Sequence, residues 1–367
     1  MNWRFWRKKT KVKKRRSVTR EWLGAIIFAV IAAIIIRAFF VEAYFIPSGS
    51  MEGTLLVGDY LFVSKVNYGA RMPITPIAFP FAQNTLPLFG TRSYWDGIRL
   101  PYFRLPGLGK IKRGDVIVFN YPLDIDSPLY RPVDKQENYI KRCVAIPGDT
   151  LSILHAQIYI NSKPEANPAN IQTSYLVQTD TTGISLQTFK KLQITVHGEY
   201  TFNYYDLVMS RESAAALKGY PNVRYLHEYL QYKGAYDADV FPHDPHLRWN
   251  ADNYGPIIIP KKGWTVDLDS LNLPLYRRAI AIYENNKLQL IGHDIFINGK
   301  KTNTYTFKMD YYWMMGDNRH NSEDSRYWGF VPEDHIVGKA LFTWMSTDSS
   351  QTFWHRIRWN RIFRGVH

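Results

Sequence analysis

A short segment, Ile46-Pro47-Ser48-Gly49-Ser50-Met51, places a serine among residues that favour a tight turn. Proline, serine and glycine are usual turn residues, so the segment taken alone predicts only a turn. Peptide hydrolysis, however, needs a nucleophile, a group that accepts its proton and donors for the developing oxyanion. Ser50, held between proline, glycine and methionine, is a candidate for that nucleophile.

Lys141 is the candidate proton acceptor, because no serine–histidine arrangement is apparent. The G-x-S-x-G turn is absent around Ser50, and none of the ten histidines lies in a recognisable catalytic motif. The residues around Lys141 alternate as in a strand, and its face also carries Tyr139, Cys143 and Ala145, which makes it less polar than a solvated face. A strand lysine is nonetheless exposed far more often than it is catalytic.

A lysine can accept the serine proton only when its amine is neutral. With a usual pKa of about 10.4, roughly one lysine in a thousand is neutral near pH 7. Lowering the pKa by about three units costs about 4 kcal/mol, which burial away from water can supply. Serine–lysine chemistry therefore requires a dry site around Lys141.

A third polar segment spans residues 316–329 and reads GDNRHNSEDSRYWG. Its simplest interpretation is an exposed loop. Two aspartates and two arginines so closely spaced can also pair across a tight turn and present Ser322 at a defined place. The residues of these expected pairs are Asp317, Arg319, Asp324 and Arg326.

An apolar segment at residues 22–41 precedes all three motifs and contains one charge, Arg37. Twenty residues at about 1.5 Å each span the roughly 30 Å hydrocarbon layer, so the segment predicts one transmembrane helix. The basic residues before it predict a cytoplasmic amino terminus and a body on the far side. The alternative is a cleavable signal peptide that ends at Ala43, but such a cut would detach the anchor only seven residues before Ser50.

The net charge of +14 is confined to the two ends of the chain. Residues 1–20 hold ten basic residues, residues 352–367 hold four arginines, and neither segment contains an acid, so these fourteen charges equal the whole net charge. A near-neutral body with basic ends predicts contact with anionic lipid and no binding to nucleic acid. The single cysteine, Cys143, allows no disulfide framework, and Pro245 between two histidines argues against a metal site in the segment PHDPH.

Aromatic residues make up 15% of the chain, which favours strands over helices in the body. We expect a basic tail at 1–21, the anchor at 22–41 and a β core in two parts, 42–164 and 254–351. The polar, Tyr-rich segment 165–253 reads as an inserted subdomain that contains a helix at Arg211 to Lys218, and residues 352–367 read as a basic, aromatic tail.

Together, the sequences PSGSM, YIKRCVAIPGD and MGDNRHNSEDSRYWG resemble the nucleophile, lysine and closing motifs of bacterial type I signal peptidases. The resemblance covers the anchor and roughly residues 44–66, 112–164 and 293–344. It implies a mostly β fold: one amino-terminal transmembrane helix followed by an antiparallel catalytic body. It also implies a cofactor-free and metal-free enzyme of the bacterial cytoplasmic membrane that contacts lipid and removes signal peptides from precursor proteins.

The same resemblance implies a role for each matched residue. Ser50 would be the nucleophile and Lys141 the general base, while Ser322 would orient the lysine. The oxyanion would be bound by the Ser50 backbone N–H and the Ser48 hydroxyl. Structural support would come from Arg142, Asp317, Arg319, Asp324 and Arg326, and small substrate pockets from Ile46, Leu55, Tyr139 and Ile140.

Two positions depart from the family pattern, since Gly53 stands where proline is frequent and Ala145 where glycine is frequent. Two other functions also fit parts of the sequence. A self-cleaving repressor shares the serine–lysine chemistry, but the first forty-odd residues cannot form a DNA-binding domain. A membrane-tethered adaptor without activity would not need Ser48, Ser50, Lys141 and Ser322 together.

Overall fold

The computed structural model describes residues 18–86, 89–201, 203–352 and 355–366. Most of the expected basic tail at 1–21 therefore lies outside the described residues, as do Phe353 and Trp354 of the carboxy-terminal tail. The described chain is mostly β, with a curled antiparallel body behind one apolar helix, which confirms the predicted fold class.

Five α-helices and twenty-one strands form the described structure. The helices are α1 Val18–Phe39, α2 Leu186–Lys191, α3 Arg211–Lys218, α4 Leu273–Arg278 and α5 Ser325–Trp328. The strands are β1 Val41–Phe45, β2 Asp59–Ser64, β3 Val116–Asn120, β4 Asn138–Ala145, β5 Thr150–Leu154, β6 Gln157–Ile160, β7 Lys163–Pro164, β8 Gln172–Thr179, β9 Thr195–Thr201, β10 Tyr204–Ser210, β11 Val223–Glu228, β12 Tyr254–Ile258, β13 Thr265–Asp267, β14 Leu288–Ile291, β15 Asp294–Ile297, β16 Lys300–Lys301, β17 Thr304–Thr306, β18 Tyr311–Met315, β19 Val331–Pro332, β20 Ile336–Ser346 and β21 Arg364–Gly365.

Helix α1 is the one helix in the described part of the chain that is long and apolar enough to cross a membrane. Its 22 residues correspond to about 33 Å at 1.5 Å each. None of its residues is buried against the body, as expected for a helix whose apolar surface faces lipid. A single residue, Phe40, separates its end from strand β1.

The main sheet carries the three motifs. Its strands follow the order β1-β2-β20-β3-β4-β18-β19, with β21 added beside β20. Strand β4 pairs with β3 along residues 138–142 but with β18 only along residues 142–145, so residues 139–141 keep one side without a strand partner in this sheet. Among the described strands, β1 pairs only with β2, and the open edges of β1 and β4 flank the candidate site.

The segment 165–253 contains a separate four-stranded sheet in the order β11-β8-β10-β9. This sheet has its own apolar cluster, which includes Val177, Leu207 and Leu217. The predicted helix is confirmed as α3, whose first turn is capped by the Ser210 side chain and which ends at Gly219. The proposed boundaries of the subdomain stay a prediction.

The carboxy-terminal tail packs onto the main sheet. The Arg361 side chain is buried and pairs with Asp59 at 2.6 Å, and its Nη2 also donates to the Thr54 carbonyl at 2.9 Å. Thr54 follows the Ser50 turn closely, so the tail supports the segment that carries the candidate nucleophile. The aromatic side chains of Trp359 and Phe363 remain exposed.

Candidate active site

Ser50 lies in a single 3₁₀ turn, Gly49–Met51, that follows strand β1. Its backbone carbonyl accepts a hydrogen bond from the Asn318 N–H at 3.1 Å, and the Asn318 side chain donates to the Gly49 carbonyl at 3.2 Å. Gly316 makes this approach possible, because a Cβ atom there would lie 2.5 Å from the Ser50 carbonyl oxygen. The third motif thus holds the serine turn in place.

Lys141 lies directly against the candidate nucleophile, with its Nζ 2.6 Å from the Ser50 Oγ. The two residues are 91 positions apart in the sequence and meet because β4 runs past the Ser50 turn. The lysine is 3% exposed, and its Nζ lies 5.6 Å from the centre of the Tyr139 ring. The Lys141 side chain is therefore largely removed from water.

Burial lowers the pKa of Lys141 from its usual 10.5 to about 8, although the carboxylates of Asp324, Glu323 and Asp317 act in the opposite direction. Removal from water disfavours the charged amine, and these carboxylates only partly offset that cost. With a pKa of about 8, roughly one amine in ten is neutral at pH 7, compared with about one in a thousand for an exposed lysine.

One departure from the family pattern, the glycine at position 53, has a conformational reason. Its φ angle is +97°, and a Cβ atom would lie 2.0 Å from the Asn170 carbonyl oxygen. Proline fixes φ near −65° and could not adopt this conformation. The glycine lets the backbone before β8 pack against the serine turn. Ala145 is fully buried opposite Trp313 in the main sheet.

The four residues of the expected ion pairs, Asp317, Arg319, Asp324 and Arg326, are buried, but their partners differ. Asp317 pairs with Arg142 through bonds of 2.8 and 2.6 Å and also accepts from the Thr54 hydroxyl at 2.5 Å. Asp324 pairs with Arg326 at 2.8 Å and accepts from the Gly316 N–H at 3.0 Å. Arg319 instead donates to the Asn167 side chain at 3.2 Å, which lies in the segment before β8.

Ser48 and Ser322 both lie near the dyad. Ser48 precedes the 3₁₀ turn, is exposed and makes no capping hydrogen bond, and it lines the same cavity as Ser50. Ser322 is buried next to Gly316, and its hydroxyl donates to the Glu323 carbonyl at 3.5 Å. The oxyanion role of Ser48 and the orienting role of Ser322 stay predictions.

A cavity of about 420 Å³ opens between the edges of β1 and β4 and contains both Ser50 and Lys141. Of the predicted pocket residues, Ile46, Tyr139 and Ile140 line it. Leu55 is 1% exposed and packs beneath the cavity with Ile46 and Met51. The remaining lining comes from residues 44, 45, 47–49 and 51, Val118, Glu137, Asn138, Asn321 and Glu323.

A larger cavity of about 850 Å³ lies elsewhere and contains neither Ser50 nor Lys141. It is lined in part by residues 242–246, the PHDPH segment. His246 pairs there with Asp244 at 2.8 Å, while the His243 ring faces the Ala238 carbonyl. In the described ranges no group of three or more histidine, cysteine, aspartate or glutamate side chains could hold a metal ion. The expectation of a metal-free enzyme stays a prediction.

Sequence reasoning missed three residues that organise the site. Asn318 holds the serine turn, and Thr54 donates to the buried Asp317. His320 accepts from the Ser174 N–H at 2.9 Å and lies 2.8 Å from the Asp252 carboxylate, so both ring nitrogens contact segment 165–253. The position of Asn318 and His320 inside the third motif was the one signal in the sequence, and it does not identify their partners.

The cavity therefore places a serine hydroxyl against a buried amine, an arrangement that can supply a nucleophile and a group to accept its proton. The family model described as "Signal peptidase, peptidase S26" matches residues 19–204 and 281–345, which is more than half of the chain. The chain belongs to this signal peptidase family, and it is a peptidase.

Curated relatives agree with this assignment over nearly the whole chain. A protein named Signal peptidase I from Buchnera aphidicola (subsp. Acyrthosiphon pisum) is 28% identical over 98% of this chain and 85% of its own length. Proteins of the same name from Haemophilus influenzae and Rickettsia massiliae are each 26% identical, over 95% and 98% of this chain and 76% and 97% of their own lengths. The resemblance inferred from the three motifs is confirmed.

Proposed function

We propose that the chain is a membrane-bound serine endopeptidase that removes amino-terminal signal peptides from secreted precursors through a Ser50–Lys141 dyad. The observation that carries the proposal is the 2.6 Å contact between the Ser50 Oγ and the Nζ of a lysine that is 3% exposed. Family membership supports the reaction, and the relatives named Signal peptidase I support the substrate class.

The proposed reaction begins when neutral Lys141 takes the Ser50 hydroxyl proton as Oγ attacks the scissile carbonyl carbon. The oxyanion is stabilised by the Ser50 N–H and the Ser48 hydroxyl. The protonated lysine then gives its proton to the leaving amine, which releases the mature protein and leaves the signal peptide as an ester on Ser50. Water, deprotonated by the same lysine, hydrolyses the ester and restores both residues.

The substrate is proposed to bind as an extended strand between β1 and β4. Both strands present an unpaired edge to the cavity, and backbone groups on such an edge can bind an added strand. Side chains of an extended peptide alternate, so residues one and three before the cut would point toward the same wall. Ile46, Tyr139 and Ile140 form that wall.

The wall is rigid, which favours exclusion of large side chains. The Tyr139 ring stacks on Tyr121 with centroids 4.3 Å apart and meets the edge of Trp328 at 5.8 Å. Ile46 is 3% exposed and packs on Met51 and Leu55. A bulky residue would have to displace this packed cluster.

A precursor with alanine at positions −3 and −1 is therefore expected to be cleaved, and leucine or aspartate at −1 should lower kcat/KM by about 100-fold or more. Purified protein and synthetic precursors measure this by mass spectrometry of the products. Ile140→Ala, which enlarges the pocket by shortening a side chain of its wall, should improve cleavage of the leucine substrate relative to the alanine substrate. Equal cleavage of alanine, leucine and aspartate substrates by the wild type would contradict the proposed pockets.

The rate should also depend on pH through Lys141. Because the amine must be neutral and its pKa is about 8, kcat/KM should rise about tenfold per pH unit below 8 and level off above about pH 9. Steady-state cleavage of a short peptide between about pH 6 and 9.5 measures the profile. A midpoint near 6.5, the usual pKa of histidine, would instead indicate a histidine base.

We propose that the chain is inserted in the bacterial cytoplasmic membrane with its amino terminus in the cytoplasm and its body on the outer face. Support comes from α1 as a candidate span and from the basic residues that precede it. Exposed aromatic side chains between β2 and β3, including Phe79, Phe81 and Phe103, suit contact with the lipid interface near the end of α1.

A further inference from the structure

A buried glutamate, Glu42, lies where the membrane helix joins the body. It is 8% exposed and belongs to β1, two residues beyond Phe40. Its carboxylate accepts from the Arg37 Nε at 2.7 Å, from the Tyr44 hydroxyl at 2.8 Å and pairs with the Lys65 Nζ at 2.8 Å. We call these four residues the joint. The catalytic steps proposed above use none of their charges.

The charges in the joint hold Glu42 ionised. Burial by itself would raise the pKa of this carboxyl, but the neighbouring charges of Lys65 and Arg37 hold it below its usual value. A buried carboxylate with two cationic partners is costly to separate from them, because the remaining charge would be left without compensation. The joint is therefore a stiff connection between the helix that contributes Arg37, strand β1, which contributes Glu42, and Lys65, which directly follows β2.

The backbone is continuous through the same place. Phe40 alone separates α1 from β1, its N–H donates to the Ile36 carbonyl at 2.9 Å, and its carbonyl accepts from the Lys65 N–H at 2.9 Å. The ladder of β1 and β2 begins with Val41 opposite Ser64. Phe40 therefore makes the last hydrogen bond of the helix through its N–H and a bond to the residue after β2 through its carbonyl. No flexible linker separates the helix from the sheet.

In the described part of the chain, few contacts other than those of the joint hold α1 to the body. The helix has no buried residue, and Arg37 also lies over the Phe81 ring at 5.7 Å. The direction in which the helix leaves the body thus depends on the joint. Strand β1 connects the joint to the cavity, because Tyr44 donates to Glu42 and also lines the cavity that contains Ser50.

We infer that the joint fixes the membrane helix relative to the substrate cavity and so sets the spacing between cleavage site and apolar segment that the enzyme accepts in a membrane-inserted precursor. The inference rests on the proposed function. A precursor whose apolar segment lies in the bilayer beside α1 can place its cleavage site at Ser50 only when the intervening chain has the matching length. The joint residues act as positioning residues, since they do not touch the reacting atoms.

The test uses the full chain in vesicles of phosphatidylethanolamine and phosphatidylglycerol. Precursors carry about zero, two, four or six extra residues before the cleavage site, which adds up to about 20 Å of extended chain. One variant removes all three charges with Arg37→Met, Glu42→Gln and Lys65→Met, so that no buried charge is left unpaired. A second variant inserts Gly-Ser-Gly-Ser between Phe40 and Val41. The control neutralises the exposed pair Asp294–Lys301 with Asp294→Asn and Lys301→Met.

Each enzyme's precursor rates are divided by its own rate on a short soluble peptide, which corrects for any change in the cavity. The wild type and the control should favour one spacing by about tenfold over the spacing four residues longer, and both joint variants should reduce that preference to about twofold or less. An unchanged preference in both variants would overturn the inference while leaving the proposed function intact. Loss of the soluble-peptide rate in both variants would also overturn it, because the joint would then support the cavity itself. Failure of the wild type to cleave any precursor would instead contradict the proposed function.

Discussion

Ser50→Ala and Lys141→Ala are each expected to lower kcat/KM for a signal-peptide substrate by more than about 10³-fold. The two side chains meet at 2.6 Å, and neither can perform the other's role. Without the hydroxyl there is no nucleophile, and without the amine the Ser50 proton loses its proposed acceptor. The measurement is steady-state cleavage of a synthetic precursor by purified variants.

The double variant should be little worse than either single variant. Residues that act as one catalytic unit give strongly non-additive losses, since removal of one already abolishes the contribution of the other. A double variant that lost the product of the two single effects would show that Ser50 and Lys141 act independently.

Loss of Lys141 should not unfold the protein. Its pKa in the folded state, about 8, lies below the usual 10.5, so the fold disfavours the charged amine. This destabilisation is fully present below pH 8 and disappears as the pH rises through the value of the unfolded chain. Lys141→Met should therefore be at least as stable as the wild type at pH 7, which chemical denaturation measures.

His320→Ala is the matched variant for a histidine mechanism. Both His320 ring nitrogens contact segment 165–253, through Ser174 and Asp252, and the structure gives the ring no contact with Ser50 among the described residues. We expect most of the activity to remain. Abolished turnover in His320→Ala together with normal turnover in Lys141→Ala would replace the proposed dyad with a histidine base.

Arg142→Ala is expected to lower the free energy of unfolding by about 3–5 kcal/mol. The Arg142 and Asp317 side chains are 5% and 1% exposed. The variant would leave the buried Asp317 carboxylate without its cationic partner, although the Thr54 hydroxyl would still donate to it. Activity should fall as well, because Asn318, which holds the Ser50 turn, directly follows Asp317. Urea denaturation of the detergent-solubilised protein measures the stability.

Two further variants separate charge from packing at this ion pair. Arg142→Met combined with Asp317→Leu removes both charges and should be more stable than Arg142→Ala alone. Arg99→Ala breaks an exposed pair with Asp96 at 2.8 Å and should have little effect on stability. Equal losses in Arg142→Ala and in the double variant would contradict this explanation, because removal of the unpaired Asp317 carboxylate would then recover no stability.

The sequence by itself determined the local secondary structure and the side chains that are available for chemistry. Helix α1 follows from a long apolar run whose one charge is Arg37, and α3 follows from a serine cap, a helical run and a terminating glycine. The alternation around Lys141 predicted strand β4. These features depend on residues that are close together in the chain, so their spacing can be read from the sequence. The three motifs identified the family because their order and residue types are specific as a set.

Only the tertiary structure decided which of these residues meet. The contact between Ser50 and Lys141 spans 91 positions. The burial that lowers the pKa of Lys141 arises only when folding brings other parts of the chain around its amine. The pairing of Arg319 with Asn167, the clash that requires glycine at position 53, and the Glu42 joint likewise depend on partners remote in sequence or on an approach angle. Spacing along the chain limits such partners but cannot select them, because burial and hydrogen-bond geometry arise only when the sheet curls and brings distant strands together.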